Sequence, residues 1–449
     1  MTRIVRRWPA RLRSAPRWPA PRWPARRWST LRWSTLWPAF LLVHLWLALA
    51  NVVGNEHPLG DVTLVYKAWM QQGFDTGHWV GVDGAWVYPI LAIVPMLLAW
   101  AFGPDAYAFT WLALVTVLDA VAFGFLIGWR GRIRHGVAAW WWLGFLVLLG
   151  PIALARIDTV TVPLAIVGVL FLASRPRLAG VLLAVAAWMK VWPGAILLAA
   201  VIATRRRWRV LAAALAVSAV IVVAAVAIGG GADAFSFVGQ QTGRGLQVEA
   251  PVSTPWLWQA FTGVPQTFVY YDTAMLTFQV AGDGVVAVAG LMTPLMLLAI
   301  LAIVLTAVRA VRGRAAASEV LPALSLALVV AVIAFNKVGS PQYIAWLAVP
   351  VILGLTTSAS GRGSSFRAPA ALVAVIAALT QFVYPLLYDA LLALQPVPLL
   401  VLTVRNLMLF VLLGWAVAAL WRLGRAEPVR NDVRERGRLD EDGQTREER

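Results

Sequence analysis

The chain has 449 residues, of which 60% are hydrophobic and 13% charged, with a mean hydropathy of +0.75 and a formal net charge of +17. An ordinary soluble domain carries about 25% charged residues, so a soluble fold is excluded. There are no cysteines, which excludes disulfides and thiolate metal sites. The positive charge lies at the chain ends and in short loops between apolar runs, the distribution expected of cytoplasmic loops and not of a nucleic-acid surface. Lysine occurs only at Lys67, Lys190 and Lys337, against 35 arginines, a bias that suits a GC-rich bacterial genome.

Residues 1–36 hold ten arginines and no acid. They repeat Arg-Trp-Pro-Ala at 7–10, 17–20 and 22–25, then Arg-Trp-Ser-Thr-Leu at 27–31 and 32–36. Proline at this density opposes a stable helix, and the segment reads as a disordered cytoplasmic arm. Its Arg and Trp suit the headgroup zone of an anionic leaflet. The apolar stretch after it lacks a small-residue cleavage site, so a signal peptide is not expected.

A span needs roughly 20 apolar residues. Spans are expected at 37–53, 106–128, 137–153, 159–173, 210–228, 284–308, 319–335, 343–357, 369–387 and 399–421. Residues 88–103 are short and hold Pro89 and Pro95, while 178–203 is interrupted by Met189-Lys190-Val191-Trp192-Pro193. The basic loops Arg130/Arg132/Arg134, Arg175/Arg177, Arg205–Arg209, Arg309/Arg312/Arg314 and Arg362/Arg367 all fall on the cytoplasmic side if 88–103 does not cross and 178–203 is a hairpin of two half-length helices. That gives twelve crossings with both termini in the cytoplasm. One crossing for each ambiguous segment would put two basic loops outside. The expected fold is all-α, a polytopic transmembrane bundle over 37–421 with short amphipathic helices in its outer loops. Residues 422–449, with eight Arg and eight acids, read as a solvated cytoplasmic tail.

The twelve-crossing topology puts segments 54–87, 154–158, 229–283 and 336–342 on the outer face. Asp61 follows the first span, where a carboxylate can act as general base toward a hydroxyl or cap the stretch beginning at Val62. Arg156 and Asp158 stand at the outer end of a span and form either a mutual ion pair or part of a cavity wall. Lys190 interrupts an apolar run between Trp188 and Trp192. An ammonium there snorkels or binds an anion, and the anion is favoured. Arg244, in a glycine-bearing stretch with Gln247 and Glu249, can meet a phosphate with two parallel hydrogen bonds. Trp256 and Trp258 follow and suit stacking on a sugar or the interface. Asn336-Lys337 and Ser340-Pro341-Gln342-Tyr343 carry more polar groups than a turn requires. His44, inside the first span, reads as a packed histidine. No His/Asp/Glu cluster has metal spacing and no nucleotide-binding loop is present.

On these residues the chain resembles the GT-C membrane glycosyltransferases, most closely the bacterial polyprenyl-phosphate-mannose-dependent α-mannosyltransferases of glycosyltransferase family 87. The resemblance rests on Gly60-Asp61 with Tyr66; Tyr88-Pro89; Arg156-Ile157-Asp158; Lys190-Val191-Trp192-Pro193; Arg244-Gly245-Leu246-Gln247-Val248-Glu249; and Lys337 with Ser340-Pro341-Gln342-Tyr343. The chain departs from that pattern at Ile90, where a second proline is expected, and in its Arg-Trp-Pro-Ala arm. The resemblance implies inverting, metal-independent transfer of a sugar, usually mannose, from a polyprenyl-phosphate donor to a glycolipid or glycan on the outer face of the cytoplasmic membrane, without a further cofactor. It implies Asp61 as general base and Lys190, Arg244 and Lys337 as holders of the donor phosphate. Tyr66, Arg156, Asp158, Gln247, Glu249, Ser340, Gln342 and Tyr343 are the expected cavity residues. A transporter or flippase for a lipid-linked sugar or anionic solute is the alternative, although the two halves show no repeat symmetry.

Overall fold

The computed structural model describes residues 33–54, 57–128, 134–240, 243–361 and 363–425. The repeat arm up to residue 32, Glu56, Arg130, Arg132, Arg362 and the tail from 426 lie outside the described residues, so the expectations for the arm and tail are not addressed by it. In lipid every backbone polar group must be paired within the chain, which drives apolar runs to close as helices. Twelve such helices build the bundle among the described residues. They are α1 (Trp33–Val53), α2 (Tyr107–Ile127), α3 (Gly136–Leu149), α4 (Asp158–Phe171), α5 (Pro176–Ala187), α6 (Pro193–Ala203), α7 (Arg207–Ala227), α8 (Val285–Arg312), α9 (Ala317–Ala334), α10 (Pro341–Ala359), α11 (Arg367–Gln381) and α12 (Pro396–Leu423). Among the described residues eight helices are long and apolar enough to cross a membrane, so the chain is an all-α polytopic membrane protein.

Burial sorts these helices. The apolar windows of α9 and α10 are 78% and 83% buried, against 22% for α7 and 17% for α8. The first pair is therefore the centre of the bundle and the second pair its lipid-facing wall. The four short helices flank two breaks, α3 and α4 on either side of Pro151–Ile157, and α5 and α6 on either side of Trp188–Trp192. Non-helical backbone at that depth is tolerated where it lines a cavity, and both breaks do so below.

The hairpin expected at 178–203 is present. Pro176 opens α5 and Pro193 opens α6, each at a first-turn position where a proline loses no helical hydrogen bond. Arg175 and Arg177 share a cavity with Arg206 and Arg209 at one end, while Lys190 sits at the other end, 3.9 Å from Asp158. Residues 88–103 contain only the short helical stretch Ile90–Ala99, tied to the hairpin tip by a hydrogen bond from Leu91 N to Trp188 O. Trp37 packs on Phe123 and Arg309 covers Trp421, so the start of α1 and the end of α12 share the end of the bundle that carries the basic loops.

Two features of the opposite end differ from expectation. The segment between α7 and α8 holds, besides short helices, an antiparallel β-hairpin of β1 (Phe268–Asp272) and β2 (Thr277–Ala281), with Phe268 opposite Ala281. Asp61 is not a cap: it begins a π-helical turn, Asp61–Tyr66, and its side chain bonds no helix N–H. His44 is packed as expected. Its Nε2 meets Asp119 Oδ2 on α2 at 3.1 Å and its ring stacks on Phe40.

Candidate functional site

The breaks, the π-helical turn and the β-hairpin surround a polar cavity of about 410 Å³. Asp61 enters it from the π-helical turn. Its Oδ2 lies 3.0 Å from Arg156 Nε, and its side chain keeps 38% of its surface exposed. Arg156 is held rigidly: it also donates to Pro58 O, to Ala155 O at 2.8 Å and to Tyr384 Oη at 3.1 Å. Burial opposes its charge, but Asp61 and the neighbouring phenols outweigh burial and raise its pKa. Asp61 thus has one carboxylate oxygen fixed by a guanidinium and, among the described residues, its Oδ1 without a hydrogen bond.

Of the two readings of Arg156 and Asp158, the mutual ion pair does not form. Arg156 turns to Asp61, and Asp158 turns to Lys190. Asp158 is also not a lining residue. It is fully buried below the cavity, with Oδ1 accepting from Trp346 Nε1 at 2.7 Å. A buried charge is stable only when paired and hydrogen-bonded, so Asp158 acts here as the counter-ion of a lysine. Lys190 Nζ lies 4.5 Å from the Tyr88 ring centroid and 5.7 Å from that of Tyr343, and both rings attract a cation. Burial pulls the lysine's pKa down, but Asp158 and the two tyrosines outweigh it and the pKa is raised, so Lys190 remains an ammonium.

Arg244 lines the cavity, and its Nε is buried with no hydrogen-bond partner among the described residues. Lys337 stands 6% exposed at the mouth of the next groove. Burial and then the charge of Arg244 push its pKa below the ordinary lysine range. The loops carrying these residues are clamped together. Gln247 N donates to Lys337 O at 3.0 Å, and a Cβ at Gly339 would collide with the backbone of Glu249 and Ala250, so only glycine allows this approach. Gln247, Glu249, Ser340, Gln342 and Tyr343 line the cavity as expected, with Gln342 Oε1 buried and unpartnered. Tyr66 lines it too, its Oη accepting from Ile157 N at 3.3 Å, and burial followed by the charges around it raises its pKa. Trp256 and Trp258 do not line the cavity: their indole N–H groups bond Asp283 O and Thr403 Oγ1.

Sequence reading missed Arg405 on α12. Arg405 is 2% exposed, and its guanidinium donates to Glu249 Oε2 at 3.2 Å, to Glu249 O at 2.7 Å and, from Nε, to Asn406 Oδ1 at 3.1 Å. Burial raises the Glu249 pKa and Arg405 pulls it back. The signal was available, because an arginine inside an apolar span is a site hypothesis by default. Tyr384 and Tyr388 and the hairpin residues Tyr271 and Phe278 complete the wall. Nothing in their spacing placed them opposite Asp61.

An apolar groove of about 450 Å³ adjoins the polar cavity and shares Val87, Lys190 and Tyr343 with it. It runs between α6, α8 and α9, past Trp192, Leu198, Ile300, Leu328 and Val332. Its boundary with the polar cavity is a ladder of aromatic rings. Tyr343 stacks on Trp346 at 4.3 Å, and Trp346 on Trp192 at 5.5 Å. The arrangement is amphiphilic: cations and polar groups at the head, an apolar channel at lipid depth behind them.

The chain is an integral membrane protein whose polar cavity, lined by cations, adjoins an apolar groove. The model of glycosyltransferase family 87 matches residues 86–293, somewhat less than half of the chain. The matched stretch includes Tyr88, Arg156, Asp158, Lys190, Arg244, Gln247 and Glu249, and leaves Asp61 and Lys337 outside. No curated protein and no solved structure matches the chain. The family match supports a membrane glycosyltransferase.

Proposed function

We propose that this protein transfers a sugar, mannose, from a polyprenyl-phosphate carrier to a hydroxyl of a glycolipid or glycan acceptor on the outer face of the cytoplasmic membrane. One observation carries the reading: a cavity lined by an accessible carboxylate and by cations adjoins, at Lys190, an apolar groove. The polyprenyl chain lies in the groove and its phosphate sits among Lys190, Arg244 and Lys337. The unpartnered Nε of Arg244 supports a phosphate there. Asp61 Oδ1 takes the proton of the acceptor hydroxyl as its oxygen bonds the anomeric carbon. The bond from that carbon to the phosphate oxygen breaks on the opposite face, with inversion, and the carrier phosphate leaves as an anion. Cations fixed before the reaction stabilise the charge that develops on it. Arg156 keeps Asp61 aimed, and the three cations meet the leaving charge without a metal.

The test is sugar transfer by the purified protein in nanodiscs, with polyprenyl-phosphate-mannose as donor and host membrane lipids as acceptors. Wild-type protein converts donor to glycosylated lipid with release of polyprenyl phosphate, and the Asp61→Asn protein does not. Transfer retained in the variant would remove Asp61 from the mechanism.

A further inference from the structure

The opposite end of the bundle has cavities that the transfer reaction does not use. One, of about 440 Å³, is lined by Ser174, Arg175, Arg177, Arg206 and Arg209. The other, of about 480 Å³, runs between the ends of α4, α6, α9 and α10. It has apolar walls of Val169, Leu170, Leu172, Leu321 and Leu353 and a polar mouth of His135, Arg205 and Arg206. Arg206 belongs to both, so a cationic basin and an apolar pocket meet at one guanidinium. No acidic side chain lines either cavity among the described residues. The nearest acid on α9, Glu319, lines a different cavity with Arg422 and accepts from Ser364 Oγ.

We infer that this end binds an anionic glycerophospholipid, with its phosphate on Arg205 and Arg206 and one acyl chain in the pocket between α4, α6, α9 and α10. Three observations converge on it. The first is charge: among the described residues no carboxylate faces the basic side chains here, and each Lys or Arg near an anionic lipid surface contributes about 1 kcal/mol of attraction. The second is an orphaned group, His135 Nδ1, which is buried in the mouth without a partner and can donate to a phosphate oxygen. The third is the hydroxyl rim. Thr356 and Thr357 Oγ1 spend their protons on Leu353 O, and Ser360 Oγ spends its on Thr357 O, so the rim presents acceptor lone pairs toward a hydroxylated headgroup. Trp208 stands 72% exposed between Arg207 and Arg209, as an indole at the headgroup level does. A lipid so seated ties together the ends of helices that the polar cavity interrupts at their other ends. Nothing in this inference depends on the transfer reaction.

The experiment is native mass spectrometry of the full chain, delipidated in detergent and titrated with dioleoyl-phosphatidylglycerol or dioleoyl-phosphatidylcholine. Wild-type protein is expected to hold phosphatidylglycerol preferentially. The exposed pair Arg205→Gln/Arg206→Gln should weaken that binding roughly thirtyfold. Leu353→Trp, which fills the pocket and leaves every charge in place, should also displace the lipid, with its melting temperature in phosphatidylcholine as the folding control. Unchanged phosphatidylglycerol binding in the arginine variant overturns the inference. So does a folded Leu353→Trp protein that binds as wild type, because the attraction is then to the surface alone. Displacement of the lipid by glycerol phosphate at equal concentration also overturns it, since the ligand is then a free anion.

Discussion

The two ends of the bundle carry charge in opposite ways. At the basic end the arginines of 205–209 and 309–314 are exposed, and Arg309 rests on the face of Trp421. At the other end Arg156, Asp158, Lys190, Glu249 and Arg405 are buried or nearly so, and each has an ionic partner. Exposed charges are cheap and individually weak. Their distribution is the one expected of cytoplasmic loops, and the loss of any single one should cost the fold little. Buried charges cost several kcal/mol each unless paired, so they persist where a ligand needs them.

Substitutions can break or sharpen that contrast. The largest expected effect is Asp61→Asn, which should lower transfer by about 10²–10⁴-fold, the range for loss of a general base, with the elution profile and melting temperature kept. Arg405→Met should come next, destabilising by about 3–5 kcal/mol because Glu249 is left as an unpaired buried charge. Chemical denaturation in micelles measures it, and the double variant Glu249→Gln/Arg405→Met should recover most of the loss. If the double variant is no better than the single one, the pair is not the reason for the instability. Gly339→Ala should cost about 1–3 kcal/mol, as overpacking does, and should lower transfer, since the added methyl drives the Lys337 loop from Ala250.

Lys337 gives a pH test. Its pKa is lowered by burial and by Arg244, so the ammonium is present below that value and is lost at a lower pH than for an ordinary lysine. The donor KM should therefore rise on the alkaline side. Lys337→Arg, which stays charged throughout, should flatten that limb; a limb unmoved by it assigns the titration elsewhere. At the bottom of the scale, Arg312→Gln at the basic end should change stability by no more than about 0.5 kcal/mol and leave transfer unaltered. A large loss there would erase the distinction between the two ends.

Much of the bundle was legible because lipid imposes one rule on every apolar run, and loop charge then orders the runs. The start of α7 at Arg207 and the end of α12 at Leu423 fall within a few residues of the expected span limits. The hairpin at Lys190 followed from charge alone. The β-hairpin was not foreseen, because Phe268–Asp272 and Thr277–Ala281 are short and lie in a segment that reads as loop. Pairing was illegible as well. Arg156 and Asp158 are two residues apart and looked like partners, yet they point to different counter-ions on other elements.

By itself the sequence determined a membrane bundle, the sorting of its loops by charge, and the residue types brought to one face. Those properties are set by transfer free energies, which each segment meets alone. Only the tertiary structure decided that Asp61 leans on Arg156, that Asp158 lies below the cavity as counter-ion to Lys190, that Arg405 anchors Glu249, and that a polar cavity continues into an apolar groove. Each of these is a contact between segments distant along the chain. Its energy depends on geometry and on the loss of water around the pair, and neither is written in the order of the residues.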